Sequence, residues 1–390
     1  MFSLKRLYEK TVPTPPSDYV RLDYVTLKQF VADVFKALGV PSEDAEVAAD
    51  VLVAADLMGV DSHGVQRLKR YTGGIRMGSV NPRAEVRVVK EGEATALIDG
   101  NAGLGQVVAF KAMRLAIEKA RKVGVAAVGV RNSNHFGMAG YFVLQAIKEN
   151  MIGGVLTNSE ALVAYTHTLS RSFGTNPVAI GAPARYPPPI IFDAAVGVVP
   201  IGKVEIYAKE GKKLPLGWVI GPDGKLLEDP KEALEKKAAV LPLGGLGEEM
   251  GGHKGAALAL IVDLLSGILT GASWGKGVRH TLSDTPANVG HFIIALDIES
   301  FMPLEQFLDR VEQLKSYVKS LPKISEDSEV WIPGEKAWLT METRKHICLL
   351  YTSDAADELD GGDVYKRQEL IDEGEKAGVK FNVKMLKETA

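Results

Sequence analysis

Apolar and polar positions change period along the chain, and the changes mark out its parts. Residues 27–38, LKQFVADVFKAL, carry apolar side chains at helical spacing, with Thr26 as the expected cap and Gly39 placed to end the helix in a left-handed conformation. Pro41-Ser42-Glu43-Asp44 opens a second helix with a cap and first-turn acids. Its small-residue face holds Ala45, Ala48, Ala49, Leu52 and Ala55, with Asp56 beside it. The helix runs into a polar, glycine-bounded loop, Met58-Gly59-Val60-Asp61-Ser62-His63-Gly64, and a third helix is expected through Val65 to Tyr71.

After Pro82 the period shortens. VRVV and TALIDG flank Lys90-Glu91-Gly92-Glu93 as a hairpin. A helical pattern from Gln106 to Arg121, a buried strand at 125–130, a helix near 140–148 and the strand IGGVLTN follow in strand-helix-strand rhythm. IIFDAA follows the Pro-rich turn at 187–189, and HFIIALDI is the final strand. The longest apolar run, AALALIVDLLSGILTGA at 256–272, contains Asp263 and an internal Ser-Gly, so it predicts a buried helix rather than a membrane span. The fold class is α/β, with three parts: a helical unit at 1–82, an α/β domain at 83–300, and a helical region at 301–390 that returns to the first unit.

Composition narrows the function classes. A chain of 390 residues forms two or three units, and a net charge of −3 gives no field for nucleic acid or an anionic membrane. A single cysteine, Cys348, forms no intrachain disulfide, which points to the cytoplasm. The N-terminal stretch has neither the apolar core nor the cleavage site of a signal peptide. One segment does not fit. Residues 347–368, ICLLYTSDAADELDGGDVYKRQ, have no period and look like translated sequencing-adapter DNA, so they are expected to replace native residues and carry no function.

Three polar clusters stand out from the apolar background: Asp61-Ser62-His63-Gly64 with Arg67, Asn132-Ser133-Asn134-His135-Phe136-Gly137, and Gly251-Gly252-His253-Lys254-Gly255. His63 and Arg67 share a face if the turn between them is helical. Arg can hold a carboxylate in a bidentate fork while His moves the proton of the neighbouring oxygen, which suits a 2-hydroxy or 2-oxo acid. Ser62 is placed to orient the imidazole, and Asp193 would extend a relay if it approached. A capping Ser-His loop with a solvated arginine is the plainer alternative. His135 follows a strand where open sheets place ligand groups, and Lys254 precedes a helix, where an anion is favoured. On sequence alone His135 reads first as a loop histidine bonded to backbone, and Lys254 equally as a solvated surface lysine. There is no Gly-x-Gly-x-x-Gly after a strand, since Gly100-Asn101-Ala102-Gly103-Leu104-Gly105 has the wrong spacing. Walker A and zinc-ligand spacings are likewise missing, and the seven histidines are scattered, so no metal site is expected.

Taken in order, GVDSHGVQRL (59–68), DGNAGLGQ (99–106), VRNSNHFGMAGYF (130–142), FGTNP (173–177), FDAA (192–195), GGHKG (251–255) and NVGHF (288–292) resemble the malate/L-lactate dehydrogenase family of the sulfolactate-dehydrogenase-like type, above all its archaeal malate dehydrogenases. This family is unrelated to the Rossmann lactate and malate dehydrogenases. The resemblance implies an oxidoreductase using NAD or NADP, a homodimer, and hydride transfer to or from a small 2-hydroxy acid, with malate to oxaloacetate foremost. It makes His63 the proton donor, Ser62 and Asp193 its relay partners, and Arg67 the ligand of the substrate carboxylate. In other members His135 is the proton acceptor, and the two assignments conflict. Cofactor contacts are implied at His135, Phe136 and Gly137, at Ser159, at Asp193, Ala194 and Ala195, at Leu243 and Gly244, and from Asn288 to Gly290. Val196-Gly197 replace the family's common Thr-Ser pair, so no hydroxyl from there meets the cofactor. Sulfolactate, lactate or ureidoglycolate oxidation, cyclic imino-acid reduction, and a catalytically silent binding protein of the same fold are the alternatives.

Overall fold

The computed structural model describes residues 19–209, 211–326, 328–347, 349–352 and 367–386. Strand β1 (Tyr19–Leu22) leads into helix α1 (Tyr24–Ala37), which buries Leu27, Phe30, Val31, Val34 and Phe35 along one stripe. Fully burying each such side chain stabilises the fold by roughly 1.5–3 kcal/mol before chain entropy is subtracted. The chain leaves the helix through Gly39, whose φ of +89° is the left-handed conformation expected of it. The cap is not Thr26. The helix starts three residues earlier, and the Asp23 carboxylate accepts the Thr26 N–H at 2.9 Å. The Thr26 hydroxyl is engaged elsewhere, donating to the Asp23 carbonyl and accepting the Lys384 N–H. Helix α2 (Ser42–Leu57) buries Ala45, Ala48, Ala49, Leu52 and Ala55 completely, and its small side chains let it lie close against α1. Helix α3 (Leu68–Met77) completes this core with Leu68 and Tyr71, and Leu370 and Val383 join it from the far end of the chain.

The hairpin β2 (Arg87–Glu91) and β3 (Thr95–Asp99) forms as its alternation predicts. Helix α4 (Gly105–Val123), β4 (Val125–Ser133), α5 (Ala139–Lys148) and β5 (Met151–Thr157) follow in the expected rhythm. The short strands β6 (Val163–Ala164) and β7 (Arg171–Phe173) precede β8 (Val178–Ala182) and β9 (Ile190–Ala194). A small unit missed by the sequence reading comes next. It contains α6 (Ile201–Lys209), β10 (Val219–Ile220), α7 (Pro230–Glu235) and β11 (Ala239–Val240), and its sheet runs β10-β11-β6-β7.

The expected long helix begins four residues early, as α8 (Gly252–Asp263), and opens into one π-helical turn at Leu264–Ile268. Strand β12 (Val289–Asp297) closes a seven-stranded sheet of order β2-β3-β4-β12-β5-β8-β9. β12 sits between β4 and β5 and runs antiparallel to both, and among the described residues of this sheet only β3 and β4 pair in parallel. Ala126, Val128, Val130, Val155, Ile293 and Ala295 pack one face against α4 and α5. On the other face Leu156, Val178 and Phe292 meet Ala259 and Val262 of α8. Helices α9 (Leu304–Ser320), α10 (Glu335–Ile347) and α11 (Arg367–Lys376) follow, with β13 (Leu349–Thr352) and β14 (Met385–Leu386) flanking β1. Of the segment read as foreign, Cys348 and residues 353–366 lie outside the described residues. No described helix is long and apolar enough to cross a membrane.

Candidate active site

The Ser-His-Gly loop is held from three sides. Gly59 turns the chain out of α2 at φ +74°, and two 3-10 turns, Asp61–His63 and Val65–Arg67, carry it into α3. The Asp56 carboxylate, buried at the end of α2, accepts the Val65 N–H at 2.9 Å. A Cβ at Gly64 would lie 1.7 Å from Asp56 Oδ1, so only glycine fits there. From α10, Arg344 reaches Asp61 at 2.5 Å and also donates to the Asp56 carbonyl. Burial raises the Asp61 carboxyl pKa, and Arg344 opposes that shift. Within the loop Ser62 Oγ lies 2.9 Å from His63 Nδ1, and Arg67 Nε donates to the Ser62 carbonyl at 2.6 Å. Sequence reasoning expected this Ser62–His63 pairing.

The second polar cluster comes to the same place. The His135 ring stacks over that of His63, with centroids 5.5 Å apart and planes 20° from parallel. His135 Nδ1 receives the backbone N–H of Gly137 at 3.3 Å and lies 2.7 Å from the Tyr71 hydroxyl. Burial pushes the Tyr71 phenol up to about 12, so it stays protonated and donates. With two donors aimed at Nδ1, the proton of neutral His135 sits on Nε2. His135 therefore presents an N–H, not a lone pair, to whatever lies beyond that nitrogen. Burial, followed by the charges of Arg70, His63, Arg67 and His280, holds it well below the ordinary histidine value. Burial and the nearby Arg67 and Arg70 likewise lower His63 to about 4. Both rings are neutral at pH 7.

Arg67 and Arg70 supply the field, and neither forms a salt bridge with a carboxylate among the described residues. Arg70 donates to the Thr281 hydroxyl at 3.1 Å. Sequence reasoning missed Arg70, Tyr71, Glu160 and His280. Tyr71 reads as a core aromatic from its spacing, and only tertiary structure brings its hydroxyl to His135. Asp193, by contrast, does not join the loop. It is exposed at the end of β9, accepts the Gly140 N–H of the first turn of α5 at 2.7 Å, and has no hydrogen bond to Ser62 or His63. His253 and Lys254 are exposed in the first turn of α8.

The residues singled out for a dinucleotide gather at one end of the large sheet. Strand pairing aligns Ser133 with Val289, Thr157 with His291, Leu156 with Val178, and Val178 with Ala194. Beyond that edge Ser159 Oγ accepts the Thr175 N–H, Val196 N donates to the Thr175 carbonyl, and Leu243 N donates to the Val196 carbonyl. Gly244, Gly245 and Gly247 hold φ values of +95°, +79° and +65°, and fold the 243–252 loop over the start of α8. A Cβ at Gly252 would lie 2.0 Å from the Gly245 carbonyl. Gly251 and Gly252 open α8 beside the exposed Lys254, which suits a phosphate at the helix start, while Glu248 and Glu249 of the same loop carry the opposite charge.

Several of the singled-out side chains are already occupied. Phe136 is buried between Phe142 and His291, at 4.9 and 4.8 Å between centroids. The Asn288 amide accepts from Asn132 N and donates to Ser273 Oγ. A Cβ at Gly290 would meet the Ser266 carbonyl at 1.7 Å. From these three, only backbone atoms can face a ligand. Val196 is buried and Gly197 bridges Pro242 beneath the Leu243 loop. Among the described residues, no group of three or more His, Cys, Asp or Glu residues could hold a metal ion.

Comparison with known proteins identifies the family. The family model described as malate/L-lactate dehydrogenase matches residues 22–359. A malate dehydrogenase of Pyrococcus horikoshii is 50% identical over 327 residues, 84% of this chain and 90% of the relative. An L-sulfolactate dehydrogenase of Methanocaldococcus jannaschii is 41% identical over 310 residues, 79% of this chain and 86% of the relative. The solved structure of malate dehydrogenase from Pyrococcus horikoshii OT3 superposes with a TM-score of 0.84 at 44% identity, covering 94% of this chain and 98% of that one.

Proposed function

The chain belongs to the malate/L-lactate dehydrogenase family and is an oxidoreductase, and we propose that it interconverts malate and oxaloacetate with NAD or NADP. The observation that carries this reading is the stacked pair His63 and His135 beside two guanidiniums that form no salt bridge with a carboxylate among the described residues. The nicotinamide ring, when bound, accepts the hydride that leaves C2 of the hydroxy acid.

Arg67 holds the C1 carboxylate in a two-pronged hydrogen bond and aims C2 at the ring. Ser62 accepts the Nδ1 proton of His63, which leaves the Nε2 lone pair of that neutral ring to take the hydroxyl proton. In the reverse direction the imidazolium returns the proton to the carbonyl oxygen. The same residue therefore acts as acceptor and donor, and His135 keeps a different task. Its Nε2–H donates to the substrate oxygen and stabilises negative charge developing there. An anionic substrate placed between His63 and the arginines offsets their field and raises the imidazole from its depressed value, favouring the protonated form that reduction requires.

Asp193, held by Gly140, steadies the His135 loop through the first turn of α5 rather than relaying protons. The residues that would hold the cofactor are those of the sheet end: backbone from His135 to Gly137 and from Asn288 to Gly290, with Ser159, Asp193 to Ala195, Leu243 and Gly244. Leu260, Ile261, Leu264, Ile268 and Leu269 expose an apolar face along α8 and its π turn, which supports a homodimer through that face. The cytoplasm is the compartment assigned, because a chain with one cysteine gains no internal disulfide elsewhere.

His63→Ala is expected to lower turnover with oxaloacetate at least about 100-fold while NADH or NADPH still binds by fluorescence titration. Near-normal turnover would move the proton role to His135. Sedimentation as a monomer at micromolar concentration would rule out the dimer.

A further inference from the structure

Arg67 has a task in the reaction above, whereas Arg70, which lies beside it, has none. The two are three residues apart at the start of α3, so their side chains share one face of the helix. Arg70 Nε is tied to the Thr281 hydroxyl, which fixes the side chain against the segment that packs on α3 at Gly73 and Gly74. Arg70 precedes Tyr71, whose hydroxyl meets His135, and its charge acts on both His63 and His135, so it stands within reach of the two histidines. The acid within its field is Glu160, which also lies 4.0 Å from His280 and acts on Arg171. One carboxylate thus serves several cations, and two like-charged guanidiniums stand side by side in a half-buried cleft. Desolvated cations in that arrangement are stabilised by an anion with more than one acidic group.

We propose that Arg70 binds the second acidic group of the substrate, a carboxylate or sulfonate borne on the carbon next to C2, and thereby selects diacids over lactate. The assignment rests on the reading that this site oxidises a 2-hydroxy acid, and it adds a specificity residue to that reading. Arg67 then recognises what all substrates share, and Arg70 what distinguishes them.

The test compares kcat/KM for malate, sulfolactate and lactate in the wild-type protein and in Arg70→Gln, Arg70→Lys and Arg67→Gln. Loss of a charge-assisted pair in a partly desolvated site is expected to lower the malate-to-lactate ratio about 100-fold in Arg70→Gln, with Arg70→Lys between it and the wild type. Arg67→Gln is expected to lower malate and lactate together, keeping their ratio within about threefold of the wild type. Removing the Arg70 charge also moves the acid limb of the pH profile upward, because His63 loses a repelling neighbour. A merely structural arginine would produce neither the ratio change nor that shift. If the sulfolactate-to-lactate ratio falls with that of malate, the site takes either acid; if only malate responds, it takes carboxylates. A wild type that oxidises malate, with ratios unchanged in both Arg70 variants, overturns the assignment. A wild type that oxidises none of the three overturns the underlying function instead.

Discussion

Replacing Tyr71 by phenylalanine deletes a single buried oxygen and tests whether the tautomer of His135 matters. The phenol is fully buried and donates to His135 Nδ1 at 2.7 Å. A neutral hydrogen bond of this kind contributes about 0.5–1.5 kcal/mol net, and orphaning its partner would cost about 1–3 kcal/mol. The lower range applies, because Gly137 N–H still reaches Nδ1 at 3.3 Å. The urea midpoint should therefore fall by the equivalent of about 1 kcal/mol.

The kinetic effect has a separate origin. With the phenol gone, one long backbone contact alone opposes the Nδ1–H tautomer, so part of the population no longer offers Nε2–H to the substrate oxygen. A donor weakened by ~1.4 kcal/mol in the transition state lowers kcat about tenfold. The assay is steady-state oxidation of NADH or NADPH with oxaloacetate, alongside a fluorescence titration of the reduced cofactor, which should be unaltered. Wild-type kcat in Tyr71→Phe, with the stability loss present, would refute the donor role of His135 and leave the Tyr71 contact a matter of packing alone.

Gly64→Ala drives a methyl group into the Asp56 carboxylate that anchors the Ser-His-Gly loop, so turnover and melting temperature should both fall, as followed by the same assay and a thermal melt. In the oxidative direction kcat/KM should stay level as pH falls through 6.5 and drop only toward about 4, since burial, Arg67 and Arg70 depress His63 while Ser62 and His135 are its other neighbours. A pH titration with malate that breaks near 6.5 would contradict that reading. His291 is buried between Thr157 and Ser133, and burial lowers it to about 3 from 6.5, so its contribution to stability is intact above 6.5 and lost as pH falls toward about 3. The loss is on the order of 5 kcal/mol, and urea midpoints of wild type and His291→Gln should converge between pH 7 and pH 4.

The parts of the fold visible in the sequence were those with local causes. The apolar stripe of α1, the alanine face of α2, the β2–β3 hairpin and the α4-β4-α5-β5 rhythm follow from spacing and turn residues alone. The position of β12 does not. It enters between β4 and β5 from more than 130 residues further along, and no local pattern encodes that pairing. The small sheet of β6, β7, β10 and β11 escaped notice because its strands are two or three residues long, too short for alternation to register.

The site divides in the same way. Ser62, His63 and Arg67 lie within one loop, so their chemistry could be read from spacing. His135 was found as a separate loop residue, and its stacking on His63 is a tertiary fact. Helical periodicity assigns Tyr71 to the core and Arg70 to the surface, whereas the Tyr71 hydroxyl meets His135 and the half-buried Arg70 is tied to Thr281.

The central claim is hydride exchange between a nicotinamide cofactor and a small 2-hydroxy acid, with His63 carrying the proton. The most direct measurement follows nicotinamide absorbance with purified wild-type protein and His63→Ala over a panel of 2-oxo acids, using NADH and NADPH in turn. Oxaloacetate-dependent oxidation of one cofactor by the wild type, reduced at least about 100-fold in His63→Ala, is the predicted result. Wild-type protein that binds cofactor yet turns over none of the acids, or His63→Ala at full rate, would contradict it.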